Sequence, residues 1–262
     1  MTRCKEAQAD EKLSKMEFVN VQTVAFEMGD PNGDSDEPLH TVVLTKEFEI
    51  LKTEVTQRQW FQVMGYNPSS FKGGEGDRNK LGNNPDHPVE NVSWDEIQQF
   101  MIKLNERNDG YRYRLPTEAE WECAARGLKP EEWDRLIKEG RPAPAYSFGD
   151  DSALLTEFAW FSGNSGNQTQ AAAQKKPNPF GLYDMHGNVW EWVLDPYSSD
   201  YSKAVSQEKA AEIQIAPASA LYYVLRGGSS LDKPRRLRSA NRERRTNDGR
   251  SNDVGFRLLR TK

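Results

Sequence analysis

Residues 114–122 read RLPTEAEWE and residues 181–192 read GLYDMHGNVWEW, and these two words set the organisation of the chain. In the first, Thr117 and Glu120 form a capping box. The hydroxyl accepts from a backbone N–H inside the first turn, and the glutamate reaches back to the cap's own N–H. A helix therefore opens at Thr117, and Gly127 is placed to stop it. Cys123 falls inside it as a small buried hydrophobe. The same device recurs at Ser93 and Glu96 in VSWDEIQQFMIKLN, where Trp94, Ile97, Phe100, Met101 and Leu104 share one helical face. A third helix is expected from about Thr56 to Met64, with Trp60, Phe61 and Met64 inward and Gly65 at its end. KPEEWDRLIKEG gives a shorter one with Pro130 in its first turn.

The second word sits in different surroundings. Outside the helices the chain is rich in Gly, Pro, Asn and Asp and broken into short apolar pieces, which predicts short strands and long ordered loops. The fold class is α+β with high loop content. With 262 residues, 36% apolar content and 7 Trp, the chain can bury one large core. No Pro- or Ser-rich linker divides it, so residues 18–262 are read as a single domain and residues 1–17 as a flexible tether. No apolar run reaches membrane-spanning length, and two cysteines cannot make a disulfide framework.

Residues 224–260, VLRGGSSLDKPRRLRSANRERRTNDGRSNDVGFRLLR, alternate short apolar anchors with dense polar surface. Val254, Phe256 and Leu258 follow the period of a half-buried strand. From Arg226 to Lys262 there are twelve Lys and Arg against four Asp and Glu, a local balance of +8 in a chain of net charge −5, leaving −13 for the remainder. Such asymmetry favours an acidic partner, such as an anionic glycan, an acidic protein patch or a phosphate. No aromatic interleaving or helical basic stripe accompanies it, so nucleic acid is not expected. Arg226, Arg238, Arg242 and Arg257 sit beside apolar anchors and have two readings, as surface or as internal partners of the acidic body. Arg235, Arg236, Arg244 and Arg245 read as surface.

The order FEMGD at Phe26, TEVTQRQW from Thr53, HPVENVSWDE from His87, the two words above, RGGS at Arg226 and GFR at Gly255 resembles the formylglycine-generating-enzyme, or sulfatase-modifying factor, domain. That resemblance implies the corresponding subclass of the C-type lectin fold. In the enzymes of that family two C-terminal cysteines bind copper. Alignment through RSANR places Pro234 and Ser239 there, and neither can supply a thiolate. The iron-dependent sulfoxide-synthase branch needs three histidines, whereas His40, His87 and His186 show no paired spacing. The expectation is therefore a protein without this catalysis, an enzyme with a non-cysteine active site being the alternative.

RGGSS, RLRSANR and VGFRLLR, separated by polar runs, are similar to the variable region of proteins diversified by retroelements, in which template adenines are rewritten. Fixed words there hold a lectin-type backbone, and rewritten codons present contacting side chains. Asp232, Arg235, Arg236, Arg244, Arg245, Gly249, Ser251, Asn252 and Asp253 are all reachable from an asparagine codon with its adenines randomised. Lys233 and Glu243 are not. Ser230 stands where an aromatic residue is common in that pattern. The ligand-contacting set implied by the resemblance is Ser230, Leu231, Asp232, Arg235, Arg236, Asn241, Glu243, Arg244, Arg245, Gly249, Ser251, Asn252 and Asp253. It implies no catalytic residue and no cofactor beyond structural calcium, for which main-chain oxygens of Asp184, Gly187 and Val189 and the carboxylate of Glu191 match the family's ligands. A second reading has Glu191, between Trp190 and Trp192, satisfying backbone donors in a tight turn. Finally, Cys4 followed by the polar KEAQADEKLSK resembles the start of a mature bacterial lipoprotein. That implies cell-surface placement, with a membrane contact only through acylated Cys4.

Overall fold

A computed structural model describes residues 15–22, 24–74, 76–212 and 220–262, with Glu212 described by its backbone alone. Cys4 and most of the expected tether lie outside them. The described chain opens with β1 (Phe18–Val21), the hairpin of β2 (Val24–Met28) and β3 (His40–Leu44), and β4 (Phe48–Leu51). Helices α1 (Gln57–Met64) and α2 (Trp94–Asn105) follow, then β5 (Arg112–Arg114), α3 (Glu118–Arg126) and α4 (Pro130–Glu139). The rest carries α5 (Leu155–Phe158), β6 (Trp190–Pro196), α6 (Gln207–Glu212), β7 (Tyr222–Arg226), a 3-10 turn Pro234–Leu237, β8 (Arg242–Thr246), β9 (Val254–Phe256) and β10 (Leu259–Thr261).

The capping boxes form as expected at Ser93 and Thr117, a further one forms at Thr56 with Gln59, and Gly65 and Gly127 close their helices in the left-handed conformation. Removing one hydroxyl isolates its contribution. Thr117→Ala is expected to lower stability by about 1 kcal/mol in chemical denaturation, since the Glu120 N–H loses its acceptor. Two details differ from the sequence reading. In α1, Gln57, Gln59 and Trp60 are buried and Phe61 is only half-buried, because both glutamines bind groups next to the core. Helix α4, at 10 residues, is longer than the 8 of α1. The short α5 and α6 were not expected, being too brief to show a helical period.

One sheet runs β1-β4-β10-β5 and another β8-β7-β6-β9, with β9 parallel to β6. Both the first and the last described strands pair with β4, which closes the domain on itself. The strand expected across Val254–Leu258 breaks after Phe256. Its first part completes the second sheet and the chain then crosses to the first, although every residue from Val254 to Leu259 is buried. Strand β7 lies between two cores. Tyr223 and Leu225 join Trp60, Trp94, Phe100, Trp192 and Phe256, while Val224 joins Phe26, Trp121, Trp133 and Val193. Trp60 stacks on Phe100 at 5.2 Å and meets Phe256 edge-on at 6.0 Å. Both large apolar cores thus lie outside residues 230–253.

Candidate functional site

The acidic residues of the two defining words hold the arginines of the C-terminal segment. Glu118 takes Arg242 in a two-point pair at 2.6 and 2.8 Å. Glu122 binds Arg126 and Arg226, and Arg226 in turn donates to the carbonyls of Ser239, Ala240 and Asn241. Glu191 takes Arg257 at 2.6 and 2.7 Å and also accepts from the Trp121 indole at 2.6 Å. All of these groups are buried. Such fork-to-carboxylate pairs fix geometry as well as charge. Arg226, Arg242 and Arg257 are therefore internal, and Arg238 joins them by binding Asp30 and Glu37.

Other arginines of the segment also meet carboxylates, although Arg235 stays exposed and Arg236 partly so, as expected of them. Arg235 reaches Asp34, Arg236 reaches Glu243, Arg250 reaches Glu96 and Arg260 reaches Glu49. Among the described residues, Arg244 and Arg245 are the arginines of this segment without a carboxylate in ion-pair reach. The local charge of +8 is thus largely neutralised inside the molecule.

Of the expected contact set, Leu231, Arg235 and Arg244 are exposed, and Arg236, Glu243, Arg245, Gly249, Ser251, Asn252 and Asp253 are half-buried. Two members are corrected. Ser230 is fully buried, its N–H on the Asn188 carbonyl and its own carbonyl on the Ser165 hydroxyl. Asn241 is buried with its amide on Asp34 and Glu37. Neither can present a side chain to a partner. Asp232 is half-buried and structural in its bonding, accepting from the Trp190 indole at 2.8 Å and the Ser229 hydroxyl at 2.6 Å.

Three devices fix the backbone beneath these side chains. The 3-10 turn is pinned by His186, whose Nδ1 lies 2.8 Å from the Leu237 carbonyl, and by the Tyr146 hydroxyl on the Pro234 carbonyl at 2.9 Å. Burial pushes His186 down to about 4, so it stays neutral and keeps this tautomer. The acidic loop 30–37 clasps Arg235, Arg238 and Asn241. The turn 247–251 is held to the start of α2, with Asn247 on Asp95, Arg250 on Glu96, and the Asn91 N–H on the Ser251 carbonyl. Sequence reading missed His186 and the acidic loop as supports; the run DPNGDSDE next to an arginine-rich tail was the available signal. Aromatic rings absent from 230–253 also arrive from elsewhere. Arg236 lies over Trp190, and Arg244 over Tyr197 and Tyr222.

The calcium set is not assembled as the resemblance implies. The turn is built, with Asp184, Gly187 and Asn188 all at positive φ, and a Cβ on Gly187 would meet the Trp160 carbonyl at 2.2 Å. Its carboxylate, however, faces a guanidinium: both oxygens of Glu191 are engaged by Arg257 and Trp121. Asp184 keeps one oxygen on the Ala173 N–H, and burial raises its carboxyl to about 6. Among the described residues no group of three His, Cys, Asp or Glu could hold a metal ion. The one side-chain ligand of the implied set is thus spent on Trp121 and Arg257, so Asp184, Gly187, Val189 and Glu191 do not fit calcium, and the tight-turn reading of Glu191 is corrected too, since its partners are side chains and not backbone donors.

At the positions aligned with catalytic cysteines, Pro234 opens the 3-10 turn and Ser239 is fully buried. Cys123 is buried in α3 and its thiol is pushed up to about 12 by burial, which makes it inert. His40 packs on Tyr201 and His87 contacts Thr169. No helix among the described residues is long and apolar enough to cross a membrane.

The sequence profile of the sulfatase-modifying factor enzyme 1-like domain matches residues 4–262. The chaperone protein LppX of Paenibacillus barcinonensis is 31% identical over 207 residues, covering 63% of this chain and 69% of that protein. The formylglycine-generating enzyme of Streptomyces coelicolor is 30% identical over 234 residues, covering 83% of this chain and 66% of the enzyme. Among solved structures, Treponema denticola variable protein 1 superposes with a TM-score of 0.75 at 29% identity, over 92% of this chain and 94% of that one. PvdO from Pseudomonas aeruginosa superposes at 0.72 and 26% identity, over 94% of each.

Proposed function

Because this chain belongs to the family of sulfatase-modifying factor enzyme 1-like domains, on the formylglycine-generating-enzyme subclass of the C-type lectin fold, we propose that it is a ligand-binding receptor with a retroelement-diversified surface. The observation that carries the reading is a division of labour. Exposed and half-buried side chains at Leu231, Arg235, Arg236, Glu243, Arg244, Arg245 and 249–253 stand on a backbone held by buried pairs to Glu118, Glu122 and Glu191. Substitutions there leave those pairs intact, and surface changes away from caps and cores move stability by only about 0.5 kcal/mol. Likeness to a variable protein over nearly the whole chain supports the same view.

The residues at 234 and 239 support a receptor without the family's thiol chemistry, since neither Pro234 nor buried Ser239 offers a copper ligand. The expected partner is an acidic protein or glycan. Cys4 and its polar spacer support placement on a bacterial surface by acylation. Metabolic labelling with a fatty-acid analogue should then mark the full-length protein and be lost in Cys4→Ser; equal labelling of both would remove the anchor.

Two measurements test the receptor. A library randomised at Leu231, Arg235, Arg236, Arg244, Arg245, Ser251 and Asn252 should fold with melting temperatures within a few degrees of the parent. Independent isolates of the encoding locus should differ at those codons and agree at Glu118, Glu122, Glu191, Arg226, Arg242 and Arg257. Widespread unfolding in the library, or invariance of the variable codons, would end the proposal.

A further inference from the structure

From the way β8 meets the residues after β6, we propose that the cleft beside Arg244 is a docking site for an acidic peptide segment carrying apolar side chains. On one face of the sheet edge, rings and guanidinium groups alternate. Arg242 lies 4.0 Å from the Tyr201 ring and 5.1 Å from Tyr197, and Arg244 lies 4.8 Å from Tyr197 and 5.4 Å from Tyr222. The Tyr197 ring is itself fixed by its hydroxyl, which donates to Asp36 at 2.8 Å. Arg242 is consumed by Glu118, but Arg244 has no carboxylate partner among the described residues. A guanidinium held between two rings keeps its planar fork pre-oriented, so little freedom is lost when it takes a carboxylate.

Arg244, exposed, lines a cleft of about 670 Å³. Its floor is apolar, with Leu194, Val205 and Tyr223 buried, and Leu221 stands exposed at its edge. Lys203 and Lys209 also line it, and among the described lining residues there is no Asp or Glu. In a chain of net charge −5, this is a locally cationic groove with a greasy base. Three separated cations over an apolar floor suit alternating acidic and apolar side chains. A polyanion such as a sulfated glycan or a nucleic acid wants a dense basic track and brings no aliphatic group for the floor. The proposal deepens the receptor reading, on which it rests for its biological use, while its geometry stands independently of diversification.

Short capped peptides alternating Glu or Asp with Leu or Phe, titrated into the full chain and followed by fluorescence anisotropy, provide the test. Saturable binding is expected, weakened about 10- to 100-fold by Arg244→Gln. Arg244→Lys should also weaken it, because charge without the fork is insufficient, and Lys203→Glu should weaken it further as repulsion is introduced. Arg141→Gln, at an exposed arginine paired with Glu139 and outside the displayed set, should leave it unchanged. Melting temperatures of all variants should match the parent, separating binding from folding. No saturable binding of any peptide, equal loss in Arg141→Gln, or preference for a heparin oligosaccharide or single-stranded DNA over the peptides would each overturn the assignment. Invariant isolates would instead remove the receptor reading and leave this binding intact.

Discussion

Arg226→Met should destabilise the protein by about 3–5 kcal/mol, a large fraction of the 5–15 kcal/mol that holds a typical domain together. Arg226 is fully buried and serves two masters. Its fork neutralises Glu122, and its other N–H groups satisfy three consecutive carbonyls, Ser239, Ala240 and Asn241, just ahead of β8. Methionine fills much of the volume but strands those acceptors in an apolar setting, where each unmet partner costs about 1–3 kcal/mol. Arg126 stays on Glu122, so the carboxylate is left only partly compensated. Urea denaturation read by tryptophan fluorescence measures the change, with Arg235→Ala as the contrast. That residue is exposed and its pair with Asp34 contributes at most about 1 kcal/mol. A loss below about 1 kcal/mol in Arg226→Met would show that the variable segment is not anchored through this arginine.

The same comparison explains what could be read from the chain and what could not. The helices at Ser93 and Thr117 were legible because a capping box is local, with both partners three residues apart, and the one after Thr56 was legible from its apolar spacing and Gly65. The fold class followed from words whose order survives in sequence. The state of the arginines was not legible, since Arg257 meets Glu191 across 66 residues, Arg226 meets Glu122 across 104 and Arg238 meets Asp30 across 208. Local charge predicted a basic surface, and tertiary pairing removed most of it. Ser230 and Asn241 misled for a related reason. Short polar side chains in a polar run look exposed, and only Asn188, Ser165, Asp34 and Glu37, brought in by other loops, bury them. The break between Phe256 and Leu259 leaves no mark either, because a strand crossing between sheets stays apolar throughout.

Raising the pH from about 6.5 to 8.5 should destabilise the folded chain. Burial lifts the Glu90 carboxyl to about 8 and Asp195 to about 7, and it lifts Glu54 well above the ordinary carboxylate range. Glu90 receives the Phe71 N–H at 2.7 Å on one oxygen, its other oxygen is buried without a partner, and Asp253 adds repulsion. The sign follows from proton binding. These acids hold their protons in the folded state at pH values where the unfolded chain has released them, so their contribution is full at low pH and disappears as pH rises through 7 and 8. Each group fully titrating in that window lowers stability by at most about 1.4 kcal/mol per pH unit. His186, held near 4, and Glu120 and Glu122, which stay low because arginine partners outweigh their burial, act in the opposite sense, but only below about 6.5. Melting temperature measured across pH 6.5–8.5 should therefore fall steadily, and Glu90→Gln, which keeps the acceptor for Phe71 while removing the ionisation, should flatten the decline. A profile that is level or rising in the parent, or a Glu90→Gln profile as steep as the parent's, would show that the carboxylate behind the 249–253 turn is ionised in the native state and balanced by Lys72.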